Sequence, residues 1–176
     1  MSRLGSISDV KECLITTKRI STFDRVNTQL KLDSCWNMVY MNDDNFAIEV
    51  KKDDRDQIMV ELTLPFSKIR AVYISRSDAG QPKVEFKLED GQKMSFPVPE
   101  GKPKLINGEI KYGYLAKRYS VKNHSWSTIV KNDRLTIIVE KHLLSIKGES
   151  KSIYPAQGSC TSMRMAPYQS SRLKRC

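Results

Sequence analysis

Alternating apolar and polar positions between Phe46 and Val98 form the clearest pattern in this chain. Three runs carry an apolar residue at every second position, with charged residues or threonine on most of the positions between them. The apolar positions are Phe46, Ile48 and Val50, then Ile58, Val60, Leu62 and Leu64, then Val84, Phe86 and Leu88. A period of two is typical of strands with one buried and one solvated face. A fourth run, Ile69–Ile74, is apolar on both faces, and the whole region predicts an antiparallel β-meander.

The turn after Leu88 fixes how the next strand pairs. Asp90-Gly91 is typical of a two-residue hairpin loop, but that loop would set Phe86 opposite Ser95 and mix the two faces. A three-residue loop pairs Phe86 with Met94 and keeps apolar residues together. We therefore expect Gly91 to be left-handed, at a bulge.

Further strands are predicted on both sides of this meander. Cys35–Met41 alternates like a strand, and a five-residue loop after it would pair Tyr40 with Phe46. Residues 110–119 alternate around two tyrosines, and residues 127–142 hold two β-branched groups separated by a turn.

The two ends of the chain have a different character. Asp9 with Glu12, and Ser21 with Asp24, have the spacing of helix start signals, so residues 1–33 predict an N-terminal helical segment. Residues 147–176 are rich in serine, glycine, proline and basic residues, which predicts a basic disordered tail. A β-rich domain, 34–146, lies between them. The fold class expected is mainly β (α+β), with short N-terminal helices.

Composition limits the class of protein. Hydrophobic residues make up 39% of the chain and charged residues 28%, which allows an ordinary core with some sequence outside it. No apolar run is long enough for a transmembrane segment, and residues 1–10 lack a signal-peptide core. Four cysteines, at 13, 35, 160 and 176, have no paired spacing. We therefore expect reduced thiols and a cytoplasmic or nuclear location.

The net charge of +10 is unevenly distributed. Residues 1–99 carry 15 basic and 15 acidic side chains, whereas residues 100–176 carry 15 basic and 5 acidic ones. Such asymmetry indicates an anionic partner for the second half, or simply a solubilising basic face.

The residues of known catalytic motifs do not occur together in this sequence. His124 and His142 have no metal-ligand spacing with a cysteine, and neither a glycine-rich phosphate loop nor a serine elbow is present. The acidic loop at Asp53–Asp56 lacks the ligand pattern of a calcium site. We predict that the chain is not an enzyme and has neither a metal nor a cofactor.

One stretch has the composition of a binding segment. Between Lys111 and Trp126, basic and aromatic residues alternate closely, a mixture that suits stacking on bases or contact with phosphates. Tyrosines on a strand also pack half-buried in a sheet, which is the alternative interpretation. The predicted binding residues are Lys111, Tyr114, Lys117, Arg118, Lys122 and Trp126.

Two segments resemble pleckstrin-homology-like domains. Leu64-Pro65-Phe66-Ser67-Lys68-Ile69 with the later Val84–Gly91 looks like the meander of that family, which implies a partly open barrel. Separately, Gly113–Arg118, Trp126 and Arg134–Ile138 look like its opening strands. There, basic residues after the first strand face inositol phosphates, which implies this role for Lys117, Arg118 and Lys122. Only 63 residues follow Gly113, too few for a second such domain, so the first region is the better match.

Residues 34–138 also resemble the N-terminal region of eukaryotic RNA-dependent RNA polymerases of gene silencing. The resemblance consists of the meander, the Pro65-Phe66 corner and Trp126. The family's Asp-x-Asp-Gly-Asp catalytic loop is absent from this sequence. This kinship would make the chain a non-catalytic fragment or relative that acts in RNA silencing.

The function predicted from the sequence is that of a non-catalytic interaction or scaffolding module. Its expected partner is a protein or an anionic ligand, either RNA or a phosphoinositide, bound by the basic second half.

Overall fold

The structure is a computed structural model that describes residues 9–43, 45–64, 69–95, 104–105, 120–123, 127–132, 134–161 and 174–176. These residues form two antiparallel sheets and one four-residue helix. The mainly β class predicted from the alternating pattern is confirmed. Within the described residues, no helix has the length and apolar character needed to cross a membrane.

Among the described residues, the strands are followed by one helical turn and two short strands. They are β1 (Val10–Thr16), β2 (Arg19–Ser21), β3 (Asn27–Gln29), β4 (Trp36–Asn42), β5 (Ala47–Lys52), β6 (Ile58–Thr63), β7 (Ile69–Arg76), β8 (Pro82–Leu88), β9 (Lys93–Ser95), β10 (Lys104–Leu105), β11 (Ser120–Asn123), β12 (Ser127–Lys131), β13 (Leu135–Glu140), β14 (Leu143–Glu149), α1 (Ser150–Ile153), β15 (Ala156–Gln157) and β16 (Lys174–Arg175).

The chain crosses between the two sheets more than once. The first sheet has the order β10-β11-β12-β13-β14-β1-β2-β3, so strands far apart in sequence meet where β14 pairs with β1. The second sheet has the order β15-β4-β5-β6-β7-β8-β9. β15 and β16 both pair with β4, at its two ends.

One hydrophobic core joins the two sheets. The second sheet contributes the alternating positions of the meander, and the first sheet contributes the β-branched groups of β12 and β13 together with β1 and β14. Among the fully buried side chains are Ile15, Tyr40, Ile48, Leu62, Ile74, Phe86 and Ile137. The strand predictions for 46–50, 58–64, 69–74, 84–88 and 127–142 are confirmed.

The helical interpretation of residues 1–33 is wrong where the structure describes them. Residues 10–16, 19–21 and 27–29 are strands. Cys13 and Ile15 are both 0% exposed, so the apolar positions of β1 alternate with a period of two. Because β1 pairs with β14 on one edge and β2 on the other, its backbone is satisfied within the sheet, which outweighs the local helix signals.

The disordered tail is also wrong for the part of 147–176 that the structure describes. Residues up to 149 complete β14, and α1 and β15 follow. Residues 174–175 form β16. Two side chains of this region, Ile153 and Cys160, are 0% exposed, so a composition rich in small and basic residues still supplies core positions here.

The four cysteines form two disulfides, so the expectation of reduced thiols is wrong. Cys13 joins Cys160 across 147 residues, and Cys35 joins Cys176 across 141 residues. Both bonds connect the beginning of the chain to its end. Such distant partners become neighbours only in the folded sheets, and spacing along the chain does not reveal them.

The two hairpin predictions have different outcomes. Phe86 pairs with Met94, and Gly91 has φ of 91°, as the face argument predicts. The predicted pairing of Tyr40 with Phe46 is wrong, because Tyr40 pairs with Ile48 and the loop is shorter. The register shifts between Met38 and Tyr40, so a bulge moves the strand by one residue.

Candidate binding face of the first sheet

A row of paired residues crosses the outer face of the first sheet. Leu14 pairs with Ser145, and Ser145 pairs with Ile138. Ile138 pairs with Ile129, which pairs with Lys122 on β11. Directly paired residues share a face, and the sequence neighbours of these residues supply core positions. The side chains of this row from Leu14 to Ile129 therefore lie on the face away from the second sheet.

A second row beside it adds charge. Thr136 pairs with Lys131 and with Lys147, and Lys147 pairs with Glu12 on β1. The Ser145 hydroxyl donates to the Glu12 carboxylate, and the Lys147 Nζ lies 3.9 Å from the same carboxylate. The outer face of the first sheet thus combines half-buried aliphatic side chains with lysines.

A hollow of about 770 Å³ opens where this face meets the β2–β3 turn. Ligand pockets in proteins have volumes of roughly 300–1,000 Å³. The lining includes apolar side chains, three cations and two carboxylates, which are Leu14 and Phe23, then Lys11, Arg25 and Lys147, then Glu12 and Asp24. An amphipathic ligand with a negative charge has the chemistry that matches such a lining.

The turn that carries Arg25 is firmly anchored. Thr22 and Val26 close the turn, with the Val26 N–H donating to the Thr22 hydroxyl at 3.2 Å. Phe23 is 3% exposed and packs edge-on against Tyr40 and Tyr154, at ring distances of 6.0 and 6.2 Å. Burial raises the pKa of Tyr154, and a nearby carboxylate adds to this effect. The turn therefore holds Arg25, two residues after Phe23, on a well-anchored backbone.

The covalent frame extends this anchoring. The Phe23 N–H donates to the Cys160 carbonyl at 3.0 Å. Cys160 forms a disulfide with Cys13 in β1. The turn and β1 are therefore both bonded to residues 156–161. The wall of the hollow is thereby tied to the core.

Arg25 has a backbone conformation that arginine rarely adopts. Its φ is 63°, in the left-handed region that favours glycine. Strained residues of this kind occur frequently at functional sites. Among the described residues, the Arg25 side chain has no ion-pair partner, and it is exposed beside the hollow.

The other charges around the hollow are partly neutralised. The Lys11 Nζ lies 3.4 Å from an Asp24 carboxylate oxygen, and Lys147 is near Glu12. These exposed pairs contribute little to stability, so their main effect is on the local field. Arg25 supplies the positive charge that is left over.

A second hollow of about 480 Å³ continues along the same face. It shares Val10 and Lys147 with the first hollow and adds Arg134, Lys151 and Glu149, whose carboxylate lies 3.4 Å from the Lys151 Nζ. Val10 is 55% exposed, an apolar side chain set between cations. The two hollows together extend the basic and apolar character along one side of the sheet.

Most of the binding residues predicted from the sequence are beyond the part of the chain that the structure describes. These are Lys111, Tyr114, Lys117, Arg118 and Trp126. Lys122 is placed on β11, in the row that runs to Leu14. Arg25 and Lys147 were not predicted as site residues. Arg25 lies within residues 1–33, where the sequence predicts a helical segment, so no local signal identifies it.

The described ranges contain no group of three or more His, Cys, Asp or Glu residues arranged to hold a metal ion.

In comparisons with known proteins, no family model matches this sequence, and no curated protein matches it. The outer face of the first sheet, with its two hollows, forms a partly apolar surface on which cations outnumber carboxylates.

Proposed function

We propose that this protein is a non-catalytic interaction module that binds an anionic partner on the outer face of its first sheet. The partner is a phosphate-bearing ligand or a protein with an acidic surface. The bound groups would lie along the two paired rows and in the hollow beside Arg25.

The observation that carries this proposal is the position of Lys122. It pairs with Ile129, in a row that continues to Leu14 at the hollow. Lys122 belongs to residues 111–126, the basic and aromatic segment of the sequence. The strand that carries Lys122 and the strand that carries Leu14 at the hollow therefore belong to one sheet, although the two residues are distant in sequence.

The charge of this surface also supports an anionic partner. The whole excess of positive charge lies in residues 100–176, which supply most of the strands of the first sheet. Lys131 and Lys147 belong to the second paired row, and Arg25 adds an unpaired guanidinium among the described residues. Clustered cations attract anions and accelerate their association.

The experiment is a binding measurement with the intact chain over a range of salt concentrations. The probes are a single-stranded RNA and vesicles that contain a phosphoinositide. The variant Lys117→Gln/Lys122→Gln/Arg25→Gln should weaken binding to the true partner class. For RNA, each lost phosphate contact should lower the log–log salt slope by about 0.7.

A matched control removes the same charge from the second sheet. Lys52→Gln/Lys83→Gln/Lys87→Gln should leave binding unchanged, because these residues belong to β5 and β8. Equal losses in both variants would mean that net charge alone drives association. Unchanged binding in the first variant would contradict the proposal. Circular dichroism confirms that each variant is folded.

Each of the two family resemblances favours a different kind of anionic partner. A pleckstrin-homology-like domain would favour an inositol phosphate headgroup, and a relative of the silencing polymerases would favour RNA. Selective binding to vesicles supports the first kinship, and RNA binding that inositol phosphates do not inhibit supports the second.

The disulfides lead to a proposal about location. Disulfides persist in oxidising compartments and are rare in the cytosol. Two of them, Cys13–Cys160 and Cys35–Cys176, favour an oxidising compartment over the cytoplasm or nucleus predicted from cysteine spacing. Counting free thiols in protein trapped with an alkylating reagent in its native cell tests this, and four free thiols would contradict it.

A further inference from the structure

Residues Lys174–Cys176, called the clasp here, lie along the edge of β4. Lys174 pairs with Asn37 and Arg175 with Trp36 in antiparallel register. The Lys174 Nζ donates to Asp33 at 2.6 Å. The clasp is thus held by the backbone and by charge at the same time.

Arg175 reaches onto the outer face of the second sheet and joins two carboxylates. Glu49 and Glu61 are directly opposite each other on β5 and β6. Like charges in this position repel, but the Arg175 guanidinium lies 3.2 Å from Glu49 and 2.6 Å from Glu61. Glu61 is only 8% exposed, so this carboxylate requires a cationic partner.

Aromatic side chains complete the surface that receives Arg175. Trp36 and Tyr73 have ring centroids 6.4 Å apart, and the Arg175 guanidinium carbon is 5.8 Å from the Trp36 ring. Guanidinium groups are attracted to aromatic faces. Burial of Arg175 lowers its pKa, but the hydrogen bonds to Glu49 and Glu61 outweigh this and raise the pKa above its ordinary value. The Lys51 Nζ also lies 4.7 Å from the Trp36 ring, so Arg175 shares this ring with a second cation.

The bond that fixes the clasp is the more accessible of the two disulfides. Cys13 and Cys160 are both 0% exposed. Cys176 is exposed and Cys35 is half-buried. A reductant therefore reaches Cys35–Cys176 while the core bond is protected.

We propose that the edge of β4, with Asp33, Trp36, Glu49 and Glu61, is a binding site for an extended peptide that carries a Lys-Arg pair. The clasp is such a peptide, and its contacts identify the ligand chemistry. Strand addition supplies backbone hydrogen bonds, while the carboxylates and the tryptophan select the two cationic side chains. In the oxidised protein, the clasp occupies the site and excludes other peptides.

Reduction by a dithiol opens the site. A thiolate of the reductant attacks the exposed Cys176 Sγ, and the Cys35 sulfur leaves and takes a proton. The second thiol of the reductant then displaces Cys176 and closes a cyclic disulfide. Two electrons and two protons pass from the dithiol to Cys35 and Cys176, and the clasp is then held by non-covalent contacts alone.

The test uses a fluorescent peptide of residues 170–176 with serine in place of the cysteine, Ser-Ser-Arg-Leu-Lys-Arg-Ser. Its binding to the full chain is measured by fluorescence anisotropy. The oxidised protein should not bind it, and dithiothreitol should make binding measurable. The full-chain variant Cys35→Ser/Lys174→Ala/Arg175→Ala/Cys176→Ser should bind the peptide without reductant. Its affinity should be about tenfold higher than that of the reduced parent protein, because its own clasp no longer competes.

Two controls make the result specific. A peptide with alanine in place of Lys174 and Arg175 should bind at least about tenfold more weakly, since charge-assisted hydrogen bonds are lost. Adding Glu61→Gln to the clasp variant should weaken binding of the cationic peptide by a similar factor. These results would support the site.

Other outcomes would overturn the proposal. Circular dichroism first shows whether the clasp variant is folded. If the folded variant binds neither peptide, or binds both equally, the proposed peptide site is wrong. A dimer that appears on reduction, and that Lys174→Ala/Arg175→Ala abolishes, would assign the β4 edge to a second copy of this chain instead.

Discussion

Gly158 lies against the backbone of Val39 so closely that no side chain fits between them. A Cβ on Gly158 would lie 2.6 Å from both the carbonyl carbon and the carbonyl oxygen of Val39. The Cys160 N–H donates to the same carbonyl at 2.8 Å. This contact sits at the bulge of β4 and connects residues 156–161 to the second sheet.

Gly158→Ala should therefore destabilise the protein by about 2–4 kcal/mol, measured by urea unfolding. Gly158 has φ of 116°, and the methyl group would also force the backbone apart. Gly91→Ala is the matched control, because Gly91 has φ of 91° but nothing within 4 Å of its Cβ position. It should cost only about 1 kcal/mol. Equal losses would mean that the close approach is unimportant.

A substitution of Arg25 should affect stability and binding in opposite directions. Because its φ is 63°, Arg25→Gly should relieve backbone strain and stabilise the fold by up to about 1 kcal/mol. The same change removes the unpaired cation beside the hollow and should weaken binding of an anionic partner. Parallel measurements of the urea midpoint and of binding test this. Lower stability with unchanged binding would make Arg25 a purely structural residue.

The second sheet was the part of the fold that the sequence could predict. Its strands are joined by short loops, and Ile48, Val60 and Phe86 alternate with polar residues, so periodicity and turn chemistry determine most of the pairing. The bulge between Met38 and Tyr40 breaks that logic. It turns both Val39 and Tyr40 into the core, at 0% exposure each, and no local pattern indicates it.

The first sheet depends on contacts that are distant in sequence. β1 is central only because β14 pairs with it, with Cys13 opposite Ile146. Short amphipathic pieces such as 10–16 are ambiguous until their neighbours are known. The same reason applies to the clasp. Glu49 and Glu61 follow the polar face of the alternating pattern, but nothing near them in sequence reveals Arg175.

The two disulfides should differ in reactivity. Brief treatment of the native protein with low dithiothreitol and an alkylating reagent should label Cys35 and Cys176 first, because Cys13 and Cys160 are completely buried. Mass spectrometry of the digested protein identifies the labelled residues. Simultaneous labelling of all four thiols would show that the core bond is equally accessible.

Removing the core bond with Cys13→Ala/Cys160→Ala should lower the free energy of unfolding by about 2–5 kcal/mol.

Asp33 should give the clasp a dependence on pH. The hydrogen bond from Lys174, followed by that from the Cys35 N–H, holds the pKa of Asp33 below its ordinary value. A lowered carboxyl pKa stabilises the fold above the unfolded pKa of about 4, and this contribution is lost as pH falls through the folded pKa. Asp33→Asn should thus be less stable than the parent at pH 7, with the difference vanishing in acid. A constant difference would contradict this.

The strongest prediction for the clasp is a coupling between Arg175 and Glu61. The Glu61 side chain is 11% exposed and its partner is 54% exposed, so solvent screens the pair from one side only. Arg175→Gln should lower stability by about 1–3 kcal/mol, less than the loss for a fully buried pair, because Glu49 and Glu61 then repel across the strands. Glu61→Gln alone removes the repulsion between the two carboxylates. It also weakens one hydrogen bond of Arg175, because the acceptor is no longer charged. The double variant should recover part of the loss, with a coupling energy of about 1–2 kcal/mol.

Urea unfolding of the four proteins at pH 7 gives this coupling energy, and raised salt should reduce it. Strict additivity would mean that Arg175 and Glu61 act independently and that another contact holds the clasp on β4.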